Sequence, residues 1–178
     1  MEASLPDLFK IAQLKKTYGF TLFVDECHSV MALASDGSGI YRYFLNKGYI
    51  FPDPIDMRSF ALGKGFGSIG GAVGASEAFR EGLEARWTSL VKNGMDPIPL
   101  PCVAGIIFQQ QCKPLHGEVL RGLAQKAIYM RAELKRCGFT VLGQSDTPVL
   151  ILFTGQVLIT DKFARLSREE GLLVAPVG

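Results

Sequence analysis

The first third of the chain alternates between the hydrophobic spacing of a helix and that of buried strands. Apolar residues at helical spacing follow a start signal at Ser4 and end at Gly19, which predicts an amphipathic helix. Residues 20–24 form a near-continuous apolar run, which is typical of a strand buried on both faces of a parallel sheet. Residues 57–62 form a second strand pattern, and residues 71–75 are predicted to return beside it. This alternation predicts an α/β sheet.

The pattern changes in the second half of the chain. Helices are predicted for residues 40–45, 76–91, 103–111 and 118–136, with a proline-rich extended connection at 96–101. Strand, strand, helix and strand patterns then follow at 139–142, 149–153, 161–170 and 172–174. This order predicts a small α+β layer after the α/β part, so we expect domains of residues 1–117 and 118–178.

Composition narrows the classes of partner. The chain has 178 residues, 48% of them hydrophobic, and a formal net charge of +2, which does not indicate nucleic acid. A mean hydropathy of +0.20 indicates an apolar face that a partner covers. No apolar run reaches the ~18 residues of a membrane span, and charged residues interrupt the N-terminal apolar ones, so no signal peptide is predicted. The four cysteines lack paired spacing, so we expect reduced thiols in an intracellular compartment and no metal site.

A glycine-rich ribbon carries one lysine directly after the second strand. Residues 63–71 hold five glycines around Lys64, and such a backbone lets a ligand approach the main chain closely. A lysine there either binds phosphate as a point charge or forms a Schiff base with an aldehyde. Gly65 follows the lysine where a Walker phosphate loop has Ser or Thr, so this is not such a loop. A solvated lysine in a turn is the alternative.

Polar side chains end the first strand abruptly. Asp25 and His28 stand there, and open α/β sheets bind ligands at the carboxyl ends of their strands. A carboxylate, an imidazole and Lys64 at adjacent strand ends suit pyridoxal phosphate, because a lysine holds this cofactor and a carboxylate keeps its ring nitrogen protonated. Taken singly, each residue has a structural alternative: Asp25 as a helix cap and His28 as a partner of core groups.

These residues resemble the α-oxoamine synthases, a family of fold-type I pyridoxal phosphate enzymes. The resemblance rests on residues 24–29 (VDECHS), 37–39 (GSG) and 64–71 (KGFGSIGG), and it covers nearly the whole chain. It implies that the first predicted domain is the C-terminal portion of the large cofactor-binding domain, with a mostly parallel sheet, and that the second is part of the small C-terminal domain. Residues 132–149 look most like the member that makes sphingolipid long-chain bases.

The resemblance implies a role for each of the three side chains. Asp25 would pair with the pyridinium nitrogen of the cofactor, His28 would bind its phenolic oxygen, and Lys64 would form the internal imine and act as the base. The implied reaction condenses an amino acid, serine in that member, with an acyl-CoA, palmitoyl-CoA in that member, and releases CO2. Related synthases of the same family that use shorter acyl chains are the alternative among enzymes.

Several positions depart from the family pattern around the phosphate. Ala61 and Gly63 replace hydroxyl residues, and Asp96 falls where the neighbouring subunit usually offers two hydroxyls, although a carboxylate there repels phosphate. We therefore expect weakened cofactor affinity, with Ser59, Ser68 or backbone N–H groups as substitutes. The same departures favour a second hypothesis, in which the protein is a non-catalytic or degenerate paralogue or partner subunit.

Four further positions complete the comparison with the family. Met31 and Ala34 stand where it has glycine, and Ser38 stands where it has arginine. Cys27 replaces an alanine and is expected to be a small buried residue. His116, without clustered partners, is expected to lie in a loop and to bind no metal.

The family's ring-stacking histidine would align before Met1, and its substrate-carboxylate arginine beyond Gly178. We therefore expect the chain to be the central portion of a longer protein and to be inactive by itself. The resemblance implies a homodimer or heterodimer partner subunit. It also implies association with the endoplasmic reticulum membrane if the protein is the sphingolipid-forming member, and a cytoplasmic location otherwise.

Overall fold

The computed structural model describes residues 3–83, 98–144 and 147–177. The chain divides into two compact units, Leu5–Ala124 and Met1–Ser4 with Gln125–Gly178. The domain boundary after residue 117 stays a prediction. The end of the helix predicted for residues 76–91, and Asp96, lie outside the described residues.

A three-stranded sheet organises the first unit. Strand β1 (Phe23–Asp25) runs parallel to β2 (Met57–Ala61), and β3 (Gly71–Ala75) runs antiparallel to β2, in the order β1-β2-β3. The α/β class is therefore confirmed. The predicted burial of the first strand on both faces is wrong, because Phe23 is 52% exposed within the described part of the chain.

The core of this unit forms between two helices and the first strand. Leu8 of α1 (Leu8–Tyr18) is buried with Ile40 and Phe44 of α2 (Ile40–Asn46), and Val24 of β1 packs against them. Burying such aliphatic and aromatic side chains stabilises the fold by roughly 1.5–3 kcal/mol each. This core fixes β1, and therefore the position of the polar residues that follow it.

The start of α1 differs from the prediction. The carboxylate of Asp7 accepts a hydrogen bond from the backbone N–H of Lys10 at 3.1 Å, so Asp7, and not Ser4, is the N-cap. Gly19 ends the helix as predicted, in the left-handed conformation with φ of 68°.

Two of the later helices, those predicted from residues 103 and 118, begin earlier than their sequence pattern predicts. Residues 77–83 are helical (α3), α4 is Leu100–Gln111, and α5 is Lys113–Arg136. The prediction that His116 lies in a loop is wrong, because α5 begins three residues before it. His116 is only 9% exposed, and neither ring nitrogen has a hydrogen-bond partner among the described residues.

The second unit contains a hairpin and a helix. Strands β4 (Thr140–Leu142) and β5 (Ile151–Phe153) pair antiparallel, and α6 (Val157–Glu169) follows. Arg131 is 3% exposed and donates hydrogen bonds to backbone carbonyls on both sides of the hairpin connection, including that of Val149 at 3.1 Å.

The strand predicted at residues 172–174 does not form. Gly171 takes a φ of 80°, and the backbone N–H of Leu172 donates to the carbonyl of Ser167 at 2.8 Å. This hydrogen bond caps the end of α6 and engages the N–H of Leu172, and described residues 172–177 are not in a strand.

No described helix combines the length and the apolar character that crossing a membrane requires. Cys27, Cys102, Cys112 and Cys137 are all free thiols. In the described ranges, no group of three or more His, Cys, Asp or Glu side chains could hold a metal ion.

Candidate active site

The polar segment after β1 begins beside the middle of β2. Asp25 is in register with Ser59, and the backbone N–H of Glu26 donates to the carbonyl of Ser59 at 2.7 Å. Because the two strands are parallel, both lead into this edge of the sheet, and β2 continues to Ala61 before the glycine ribbon starts. The sheet therefore brings the segment after β1 and the lysine ribbon together.

The ribbon places its lysine against the histidine of the first segment. Lys64 Nζ lies 2.8 Å from His28 Nε2, and both residues are exposed. An ammonium and an imidazolium are both donors only, so at least one of the two nitrogen atoms in this contact accepts. The pair can therefore hold a proton between an amine and an imidazole, as a proton-transferring site requires.

Asp25 adds a negative charge to this pair. The pKa of its carboxyl is lowered, first by a hydrogen bond from the Cys27 thiol, then by the Cys27 backbone N–H at 2.9 Å and by the positive charge of Lys64. The same hydrogen bond raises the pKa of the Cys27 thiol. Asp25 is therefore a carboxylate at neutral pH. Cys27 is half-buried, and its thiol binds this carboxylate instead of simply filling space.

One glycine allows the ribbon to approach the histidine segment. A Cβ added to Gly65 would lie 2.5 Å from Met31 Cβ and 3.0 Å from the carbonyl oxygen of Val30. Ordinary side chains do not fit at such distances, so the contact between the two segments requires glycine here. Gly67 and Gly70 have positive φ and turn the chain back into β3.

Two departures from the family pattern lie at strained backbone positions. Met31 and Ala34 have φ of 58° and 66°, in the left-handed region that favours glycine. The backbone therefore keeps the conformation that the glycines of the family pattern would adopt without strain, although both residues carry a Cβ.

The two hydroxyls expected to substitute at the phosphate are already engaged. Ser68 Oγ donates to the carbonyl of Cys102 at 3.0 Å, and the Ser59 side chain hydrogen-bonds Asp25. The backbone N–H groups of residues 63–66 lie in the turn that carries Lys64, and amides in such a turn can bind an anion.

A buried ion pair behind the site is absent from the sequence predictions. Glu26 is 1% exposed, and its carboxylate accepts from Arg58 Nη1 at 2.9 Å, while Arg58 also pairs with Asp53. The available signal was an arginine inside the second apolar strand, in register with Val24 and therefore two residues from Glu26 along the neighbouring strand. Such opposite charges on neighbouring strands indicate a cross-strand pair.

The fold and this geometry define a member of a known family. The family model for aminotransferase class I and II matches residues 1–178, so the chain belongs to that family. The resemblance to α-oxoamine synthases is confirmed by the relatives.

Several relatives are named serine palmitoyltransferase 2. The chain is 29% identical to that of Dictyostelium discoideum over 185 residues, covering 100% of the chain and 36% of the relative. It is 30% identical to that of Saccharomyces cerevisiae, covering 99% of the chain and 32% of the relative. The chain thus spans about a third of the length of these relatives.

A solved structure, Sphingomonas wittichii serine palmitoyltransferase, aligns with a TM-score of 0.83 over 98% of the chain and 42% of that structure. At 16% sequence identity this likeness shows the fold.

Proposed function

We propose that this chain carries the pyridoxal phosphate site of a C-acyltransferase that condenses serine with palmitoyl-CoA and releases CO2, as in sphingolipid long-chain-base synthesis. The observation that carries the proposal is the meeting of Lys64, His28 and Asp25 at two neighbouring strand ends. Membership of the aminotransferase class I and II family and the names of the relatives support the same reaction.

The three side chains fit this cofactor by their chemistry. Lys64 supplies an amine that can bond to the aldehyde carbon, and His28 lies within hydrogen-bond distance of that amine and can donate to an oxygen beside it. Asp25, kept ionised by its own donors, can hold a ring nitrogen in the protonated state. When bound, pyridoxal phosphate supplies an electron sink for a carbanion.

Lys64 and His28 are the two groups that would accept and transfer protons in this site. The Lys64 amine would be the group that accepts the proton from the substrate α-carbon. His28, at 2.8 Å, can orient that amine and take part in the transfer. Asp25 does not exchange protons at neutral pH; it supplies fixed negative charge.

We assign the phosphate to the backbone N–H groups of residues 63–66. Ala61 and Gly63 offer no hydroxyl, and Ser59 and Ser68 already donate elsewhere. Each missing charge-assisted hydrogen bond is worth roughly 1.5–3 kcal/mol, so we expect lower cofactor affinity than a site with hydroxyl donors has.

The whole protein is proposed to act with a homodimer or heterodimer partner subunit and, as a sphingolipid enzyme, to associate with the endoplasmic reticulum membrane. Both statements rest on the likeness to serine palmitoyltransferases. The exposed apolar side chains of α4, which include Leu100 at 83% exposed and Phe108 at 63%, are consistent with a partner surface.

One observation favours a second candidate, a non-catalytic relative that keeps the fold. The hydroxyl of Ser68 is bound to the carbonyl of Cys102, and Ala61 and Gly63 cannot replace it as phosphate ligands. A degenerate partner subunit would retain the sheet and lose the cofactor.

Covalent trapping separates the two candidates. The chain is incubated with pyridoxal phosphate, reduced with borohydride and digested, and the labelled lysine is located by mass spectrometry. The enzyme proposal expects a preferential label on Lys64, whereas an even distribution over the lysines, or none, would favour the degenerate relative. In the full protein, carboxyl-labelled serine with palmitoyl-CoA should release labelled CO2, and Lys64→Ala should abolish that release.

A further inference from the structure

Between Asp25 and His28 lies a carboxylate that no proposed step uses. Both carboxylate oxygens of Glu26 are buried, with a side-chain exposure of 0%. Burying a charge costs several kcal/mol, and a well-packed apolar residue commonly gives equal or greater stability. The burial of Glu26 therefore needs a reason besides stability.

The carboxylate joins three parts of the first unit. Glu26 Oε2 accepts from the Ser29 hydroxyl at 2.6 Å and from the backbone N–H of Ile40, the first residue of α2, at 2.9 Å. Glu26 Oε1 accepts from Arg58 Nη1 on β2 at 2.9 Å. One side chain thus fixes the turn after β1 to the helix that follows it and to the neighbouring strand.

The fit around the carboxylate is tight. A Cβ added to Gly39 would lie 1.9 Å from Glu26 Oε2, so the backbone before α2 approaches the carboxylate as only glycine can. The carbonyl of Glu26 also accepts from the backbone N–H groups of Ser29 at 3.0 Å and Val30 at 3.1 Å. These bonds close a turn of which His28 is the exposed member, facing Lys64.

We propose that Glu26 is a positioning residue of the Asp25–His28–Lys64 site, which holds the turn after β1 so that His28 meets Lys64. The role in catalysis rests on the proposed function, whereas the contact itself does not. Glu26→Gln keeps an acceptor for Ser29 and Ile40 and places an amide donor against the Arg58 donor, so it breaks only the side-chain link to β2.

The first readout needs no cofactor. The ring 15N signals of His28, assigned with the help of a His116 substitution, are recorded with and without Lys64→Ala. In the wild-type chain the substitution should shift the Nε2 signal, because it removes the contact partner. In the Glu26→Gln background that shift should be lost. A shift that persists there would overturn the proposal and leave Glu26 a stabilising residue only.

A matched control is Asp56→Asn, which makes the same chemical change in a carboxylate at the other end of the strand pair. Asp56 accepts from the backbone N–H of Leu22 at 2.7 Å and pairs with Lys15. The Asp56→Asn variant should be less stable than wild type, and the His28 signal should still respond to Lys64→Ala. Loss of that response in this variant too would contradict a specific role for Glu26.

A second variant and a second readout complete the test. Ser29→Ala removes one donor and leaves Glu26 paired with Arg58, and it should weaken the His28 response in the same direction. The rate of pyridoxal phosphate labelling at Lys64 should fall on the order of tenfold to a hundredfold in Glu26→Gln, as misplaced groups lose rate. If pyridoxal phosphate labels Lys64 of the wild-type chain no faster than the other lysines, that result counts against the proposed function. The 15N readout would still decide the positioning role.

Discussion

The two ends of the β1–β2 pair are both held by carboxylates, yet in opposite ways. At the amino end, Asp56 is exposed by 42%, binds the backbone N–H of Leu22 and pairs with Lys15. At the carboxyl end, Glu26 is fully buried and its partner Arg58 is 24% exposed. The amino-end carboxylate can be solvated when its partner leaves, whereas the buried one cannot.

Along this pair of strands, the ion pair at the amino end contributes to stability alone, whereas the carboxylate at the carboxyl end lies beside the candidate active site. An exposed ion pair contributes about 1 kcal/mol or less and tolerates change. The buried pair carries a desolvation cost, and beside it stand Asp25, His28 and Lys64. Of the two ends, the one with the costly buried charge is the end where parallel strands deliver their ligand-binding residues.

The largest expected effect separates the lysines of the two ends. Lys64→Ala should abolish the preferential pyridoxal phosphate label, because it removes the amine that bonds to the aldehyde. Lys15→Ala should leave that label intact and lower stability by about 1 kcal/mol or less, since it removes an amine that binds Asp56 and the carbonyl of Pro54 at 2.7 Å. Peptide mapping and denaturant unfolding measure the two effects. Equal labelling of both variants would remove the distinction between the ends.

A glycine exchange should have the next largest effect. Gly65→Ala should force the ribbon away from Met31, because its Cβ would lie 2.5 Å from Met31 Cβ. Overpacking of this kind costs roughly 1–3 kcal/mol, and Lys64 should lose its contact with His28. Gly74→Ala in β3 is the control, since its Cβ would meet nothing closer than 4.0 Å. The 15N signals of His28 and the labelling rate at Lys64 report the outcome, and an unchanged Gly65→Ala would contradict the close packing.

A smaller effect should come from relieving backbone strain. Ala34→Gly should stabilise the chain by about 0.5–1 kcal/mol, because Ala34 has a φ of 66° and the left-handed region costs a residue with a Cβ roughly 1–2 kcal/mol before the entropy of glycine is subtracted. Ala32→Gly, two residues earlier and outside the left-handed region, should instead destabilise by about 0.5–1 kcal/mol. Thermal unfolding of the pair tests the sign, and two changes of the same sign would exclude the strain.

The smallest effect concerns pH at the amino end. The Lys15 side chain, followed by the Leu22 N–H, holds the pKa of Asp56 below its usual value of 3.8. Because the folded pKa is the lower one, its stabilisation is complete above the unfolded value and is lost as pH falls through the folded value. The difference in unfolding free energy between wild type and Asp56→Asn should be about 1 kcal/mol or less at pH 7 and should shrink below pH ~4. A difference that grows on acidification would contradict this.

The sheet and the three site residues could be predicted because their signals are local. Apolar runs marked β1 and β2, and polar residues at their ends pointed to Asp25, His28 and Lys64. The structure brings these residues together, while their roles stay proposals. The resemblance marked Met31 and Ala34 as glycine positions, and both have positive φ.

The remaining features depend on tertiary partners that a sequence pattern does not reveal. Glu26 follows another acid at a strand end, a place where carboxylates are usually solvated. Its burial depends on hydrogen bonds from Ser29, Arg58 and the start of α2. His116 precedes Gly117, and a glycine at this place in the sequence is typical of a loop. Both residues nevertheless lie in α5. Leu172 belongs to an apolar run, but its N–H caps α6.

The most direct test is a crystal structure of the chain soaked with pyridoxal phosphate. We expect the cofactor to be joined to Lys64, with Asp25 and His28 both contacting its ring and the N–H groups of residues 63–66 at its phosphate. A Lys64 amine that faces solvent away from Asp25, with the cofactor absent or bound to another lysine, would contradict it.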